Sequence, residues 1–177
     1  MTQATRAENQ TLVDEERKRC GDIIDMHLHP SNYTSVDPIL NDLDQAGVSR
    51  GLVYAVYAAN NTFLPDANTQ VSQLINASNG RLYGLASLDT SVDWQSKSKD
   101  ELSRLSEALL QPGFVGAKLA PPHTCLELNG TIIKEVIHTV SESSKPVVGI
   151  HTGTTPFCGE FGELILGYAV RHAQLSL

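Results

Sequence analysis

Residues 23–30 read Ile23-Ile24-Asp25-Met26-His27-Leu28-His29-Pro30, a short β-rich run that closes on a proline. Side chains alternate along a strand, so Asp25, His27 and His29 fall on one face and Ile24, Met26 and Leu28 on the other. The apolar set is expected to meet helices and the polar set to face an interior. Further apolar, β-rich runs lie at 51–57, 81–88, 114–119 and 146–150, and the first covers 23–28. Their centres are separated by about 29, 31, 32 and 32 residues, one strand–helix unit each.

The segments between these runs carry helical periodicity. The first is Asp37–Ala46, with Pro38 in its opening turn, Ile39, Leu40 and Leu43 as its stripe, and Gly47 to end it. The second spans roughly 68–77 with Val71, Leu74 and Ile75, and the third about 99–110 with Leu102, Leu105, Leu109 and Leu110, stopping at Pro112-Gly113. A fourth, 131–140, carries Ile132, Ile133, Val136, Ile137 and Val140, and a fifth lies near 161–172. Residues 1–21 are polar and charged, which reads as a leader or capping helix before one domain at 22–177.

Alternating strands and helices imply an α/β fold with parallel pairing through helical crossovers. A doubly wound sheet and a (β/α)₈ TIM barrel share this spacing, so length arbitrates. A full barrel takes about 250 residues. Five units fill nearly all of the 177 residues here. The expectation is an incomplete barrel that lacks about three units, on the order of 95 residues.

Apolar residues make up 41% and charged residues 19%, as in an ordinary soluble domain, and the net charge is −7. An acidic chain lacks the basic footprint that nucleic acid or an anionic membrane needs, so a small-molecule substrate is the expected partner. Cys20, Cys125 and Cys158 form no C-x-x-C pair, which argues against a thiolate zinc site or a disulfide framework. The N-terminus has no apolar core of a secretory signal, and no apolar run is long enough to cross a bilayer, so a cytoplasmic location is expected.

Chemistry concentrates at strand ends. Imidazoles two residues apart on a strand can reach one ion, and neutral imidazole suits zinc and its neighbours. His27 and His29 are therefore candidate metal ligands, with Asp25 behind them. In Lys145-Pro146-Val147-Val148-Gly149-Ile150-His151-Thr152-Gly153, His151 caps the fifth run and offers a third ligand. Three protein ligands leave an open position for water or substrate, as catalytic zinc sites do.

In Gly113-Phe114-Val115-Gly116-Ala117-Lys118-Leu119-Ala120-Pro121, Lys118 shares parity with Gly116, and Val115, Ala117 and Leu119 form the opposite face. A lysine aimed inward is costly unless paired or functional. It could hold a substrate carboxylate, or be carbamylated and bridge two ions; the plainer reading is a stem that snorkels to water. His123 reads as an exposed loop residue, His138 and His172 as outer-surface residues, and Asp89 as lining the mouth or capping the next turn. No G-x-G-x-x-G or Walker pattern supports nucleotide binding.

With these motifs at the first, fourth and fifth strands, about residues 22–170 resemble the amidohydrolase-related family, the branch of the amidohydrolase superfamily that includes the aminocarboxymuconate-semialdehyde and resorcylate decarboxylases. The resemblance implies a distorted (β/α)₈ barrel with a divalent metal, usually Zn2+, held by His27, His29 and His151. It implies hydrolysis or decarboxylation of a small carboxylated or amide-like substrate. It also implies a sixth-strand histidine and an eighth-strand aspartate, neither of which this sequence contains, so its catalytic residues are unassigned and the chain alone is expected to be truncated. A TatD-like metal nuclease also opens with H-x-H but wants a fourth-strand glutamate where Lys118 stands. A third reading is a non-catalytic fragment that docks through open sheet edges on a complete barrel or on itself.

Overall fold

The sheet runs β1-β2-β3-β4-β5 in chain order, and every neighbouring pair is parallel. The computed structural model describes residues 11, 14–15, 21–30, 35–54, 67–90, 94–120, 130–145 and 147–151. The elements are β1 (Ile24–Leu28), α1 (Asp37–Ala46), β2 (Arg50–Val53), α2 (Ala67–Ala77), β3 (Leu82–Ser87), α3 (Trp94–Leu110), β4 (Phe114–Leu119), α4 (Thr131–Glu142) and β5 (Val147–Ile150). A doubly wound sheet reverses its strand order at a switch point. Here every crossover advances in the same direction, and right-handed crossovers of that kind keep the helices on one face. The result is a curled, five-stranded parallel half-barrel. The expected helix near 161–172, His123, His172 and the three cysteines lie outside the described residues.

The convex face carries the main core. Ile39 and Leu43 of α1, Val71 of α2, Leu105 and Leu109 of α3, and Val136 and Val140 of α4 pack against Val53, Ala86, Phe114, Ala117 and Leu119 of the strands. Burying one such aliphatic side chain is worth about 1.5–3 kcal/mol. Helix α1 ends as expected at Gly47, whose φ of 71° is left-handed and whose N–H donates to the Leu43 and Asp44 carbonyls. Among the described residues no helix is long and apolar enough to cross a membrane.

The structure departs from the sequence reading at three places. Helix α3 begins at Trp94 and not near 99, because Trp94 Nε1 donates to Glu135 Oε2 of α4 at 2.9 Å and anchors a first turn that has no apolar stripe. Along β4, Phe114 belongs to the outer core whereas Val115 packs on the inner face. The β3–β4 register explains it: Gly84 pairs with Phe114 but Leu85 pairs with Gly116, so Val115 is an extra residue that resets the alternation. On β1, Ile24 and Met26 are 46% and 58% exposed and not part of the core, whereas Leu28 packs on the convex core. The β1–β2 register shifts between Asp25 and Leu28, and β1 is an edge strand among the described residues.

Candidate functional site

The carboxyl ends of four parallel strands bring five side chains together. His27 is on β1 and His29 just beyond it, Tyr54 follows β2, Lys118 is on β4, and His151 follows β5. Backbone bonds hold the loose ends: Tyr54 N–H donates to the Leu28 carbonyl at 3.1 Å, and His151 N–H to the Leu119 carbonyl at 2.9 Å. His151 thus continues the β4–β5 ladder, and its position depends on that pairing.

The two β1 imidazoles touch. His27 Nε2 and His29 Nε2 are 2.9 Å apart, with ring centroids at 4.7 Å and planes near perpendicular. The His151 ring lies 6.1 Å from that of His27, centroid to centroid. Residues more than 120 positions apart in the chain therefore meet in one place. At 2.9 Å one of the two facing nitrogens must donate a proton to the other. His29 Nδ1 lies 3.4 Å from the Tyr54 carbonyl oxygen. A neutral His29 that donates there keeps its Nε2 lone pair for the other ring or for an ion.

Around the imidazoles the electrostatics is mixed. Asp25 Oδ1 accepts the His27 backbone N–H at 2.8 Å, fixing its carboxylate behind β1. Burial and then the Lys118 charge push the His27 pKa down, against a smaller upward pull from Asp25. Both downward effects keep the ring neutral, the state a metal ligand needs. Lys118 is 7% exposed, and burial pulls its ammonium down to about 8. Its Nζ sits 4.3 Å from the centroid of the Tyr54 ring, a cation–π contact. Burial, then the Asp25 charge, raises the Tyr54 pKa, so its hydroxyl stays protonated. The snorkelling reading of Lys118 does not hold, because its side chain stays inside.

No family model matches the chain, and no curated protein matches it. Two imidazoles on one tetrahedral ion place their bonded nitrogens about 3.3 Å apart and their ring centroids roughly 5 Å apart. The observed centroid separations of 4.7 and 6.1 Å fall on either side of that value. As they stand, no three His, Cys, Asp or Glu side chains among the described residues form a coordination sphere. The shortfall is on the order of one ångström at His151, within the reach of a rotamer change at a strand end. The donor set fits a borderline divalent ion such as zinc.

Other candidates resolve differently. Asp89 is bound to α3: its carboxylate pairs with Lys97 at 2.6 Å, and its N–H donates to Glu101 Oε2 at 2.9 Å. His138 is exposed on α4, as the helical periodicity indicated. A cavity of about 340 Å³ lies between β1 and α1, lined mainly by apolar residues such as Leu28, Ile39 and Leu43. It shares Asp25 and His29 with the imidazole group. Tyr54 escaped the sequence reading. An aromatic at the end of a β-rich run looks like a core residue, and only the pairing of β1, β2 and β4 reveals its neighbours.

Proposed function

We infer that the concave face is the metal-dependent active-site half of a (β/α)₈ barrel of the amidohydrolase-related kind, acting in hydrolysis or decarboxylation of a small carboxylated or amide-like substrate. The observation that carries this reading is the approach of His151 to His27, 6.1 Å between ring centres, across the full width of the sheet. Three neutral imidazoles from the two edge strands would hold a divalent ion and leave an open position on it. When bound, such an ion supplies Lewis-acid polarisation of a water or a substrate oxygen.

The chain's own residues do the rest. His29 is held in one tautomer by the Tyr54 carbonyl. Asp25 supplies negative charge behind His27 and partly offsets a cation at the front. Lys118 presents an ammonium inside the half-barrel, where it would orient a substrate carboxylate. The resemblance also implies proton-transfer groups on a sixth and an eighth strand.

Metal analysis tests the reading. The chain purified from zinc-replete medium should carry about one zinc, and His27→Ala with His29→Ala should remove it. A parent chain without zinc under those conditions would contradict the assignment.

A second reading, docking, draws on the sheet edges. Ile24 and Met26 on β1 and Val147 and Ile150 on β5 are exposed apolar residues, and these two strands flank the described sheet. Such edges pair readily with another chain. Light scattering separates the two: a monomer at micromolar concentration disfavours self-docking.

A further inference from the structure

Tyr54 carries an unpartnered buried hydroxyl, and Lys118 stands beside it. Tyr54 is 1% exposed, and its hydroxyl is the buried side-chain polar atom left without a hydrogen-bond partner among the described residues. Lys118, also more than nine-tenths buried, has the Tyr54 ring face under its ammonium, and among the described residues no hydrogen bond or ion pair reaches it. A ring face attracts a cation but offers no lone pair comparable to that of an oxygen. Buried polar groups in folded proteins are nearly always satisfied, and exceptions point to a ligand or a catalytic role. Here the exception is the Tyr54 hydroxyl, and Lys118 is its neighbour.

The surroundings give the class of ligand. Tyr54 packs with Leu52 and Leu85, and Val115 lies against them, so the hydroxyl and the nearby ammonium border a small buried apolar cluster. Gly149 of β5 leaves room beside the lysine stem: a Cβ there would sit 3.6 Å from Lys118 Cδ. Both tips donate, so the complement is an acceptor with two oxygens and a negative charge on an apolar body.

We propose that Tyr54 and Lys118 form an anion subsite that takes the carboxylate of a small apolar acid, the hydroxyl donating to one oxygen and the ammonium to the other. The subsite rests on reading the concave face as a ligand site, chooses the acid over the amide, and needs no ion. The bulge that turns Val115 inward belongs to it, since Val115 closes the apolar floor.

Benzoate and benzamide, titrated into chelator-treated protein at pH 7 and followed by NMR shifts, test the subsite. They have the same shape but differ in charge. Benzoate should bind at least tenfold more tightly than benzamide. Tyr54→Phe keeps the ring that Lys118 stacks on, so it should fold as the parent does and weaken benzoate about tenfold, the worth of one hydrogen bond to a charged group. Lys118→Met should abolish the preference for the acid. Equal binding of the two probes, no binding of benzoate, or a Tyr54→Phe variant that binds benzoate as the parent does would each overturn the proposal. Zinc uptake without benzoate binding would sink the subsite and leave the metal reading standing; benzoate binding without zinc uptake would do the reverse.

Discussion

At the scale of the residue, Lys118 sets the most readable balance. Its folded pKa of about 8 lies below its usual 10.5, and burial is the cause. Between those values the unfolded chain holds a proton that the native chain lacks, so this residue makes stability rise with pH across that window. Below about pH 8 the full cost of the buried ammonium is present. Lys118→Met should therefore stabilise the chain at pH 7, and its advantage over the parent should shrink as pH climbs towards 10.5. Urea unfolding at several pH values reads this directly; a variant less stable than its parent at pH 7 would show that the ammonium is compensated. His27, His29 and Lys118 were legible in the sequence as strand residues of inward parity, and His151 as the cap of the fifth run. Tyr54 was not, because nothing local marks a buried aromatic whose partners come from β1 and β4.

At the scale of the element, the β4–β5 pairing is what delivers His151. Gly116 pairs with Val147, and a Cβ on Gly116 would land on the Val147 carbonyl, a backbone atom that cannot step aside. Gly116→Ala should cost more than about 3 kcal/mol in chemical denaturation, beyond ordinary overpacking, and should weaken zinc binding by displacing His151. Gly149→Ala is the control: its Cβ would meet the Cδ1 tip of Leu85 at 2.6 Å, a side-chain end that can rotate. It should cost about 1 kcal/mol. Equal losses for the two alanines would contradict the steric account. Within α3, Leu105 is fully buried, and Leu105→Ala should lose roughly 2–5 kcal/mol in the same assay. The strand and helix cores were legible because periods of 2 and 3.6 are local. The start of α3 and the inward turn of Val115 were not, since they depend on the Trp94–Glu135 bond and on a register shift between strands.

At the scale of the whole molecule, a parallel sheet in sequential order has two consequences. It gathers the carboxyl ends of β1, β2, β4 and β5 at one rim, so residues 27, 29, 54, 118 and 151 can come together there. It also leaves β1 and β5 as the outer strands of the described sheet. The regular spacing of apolar runs foretold five strand–helix units in a parallel sheet, while strand order and curl had to come from the structure, because spacing alone suits a doubly wound sheet equally well. The convergence of the histidines follows from the curl: a flat sheet of the same strands would keep the edge histidines far apart. X-ray absorption at the zinc edge of the reconstituted chain tests this convergence most directly, because it counts imidazoles around the ion. The account predicts one zinc per chain with three imidazole nitrogens at about 2.0–2.1 Å, falling to two in His151→Ala. A shell of two imidazoles in the parent, unchanged by that substitution, would contradict it.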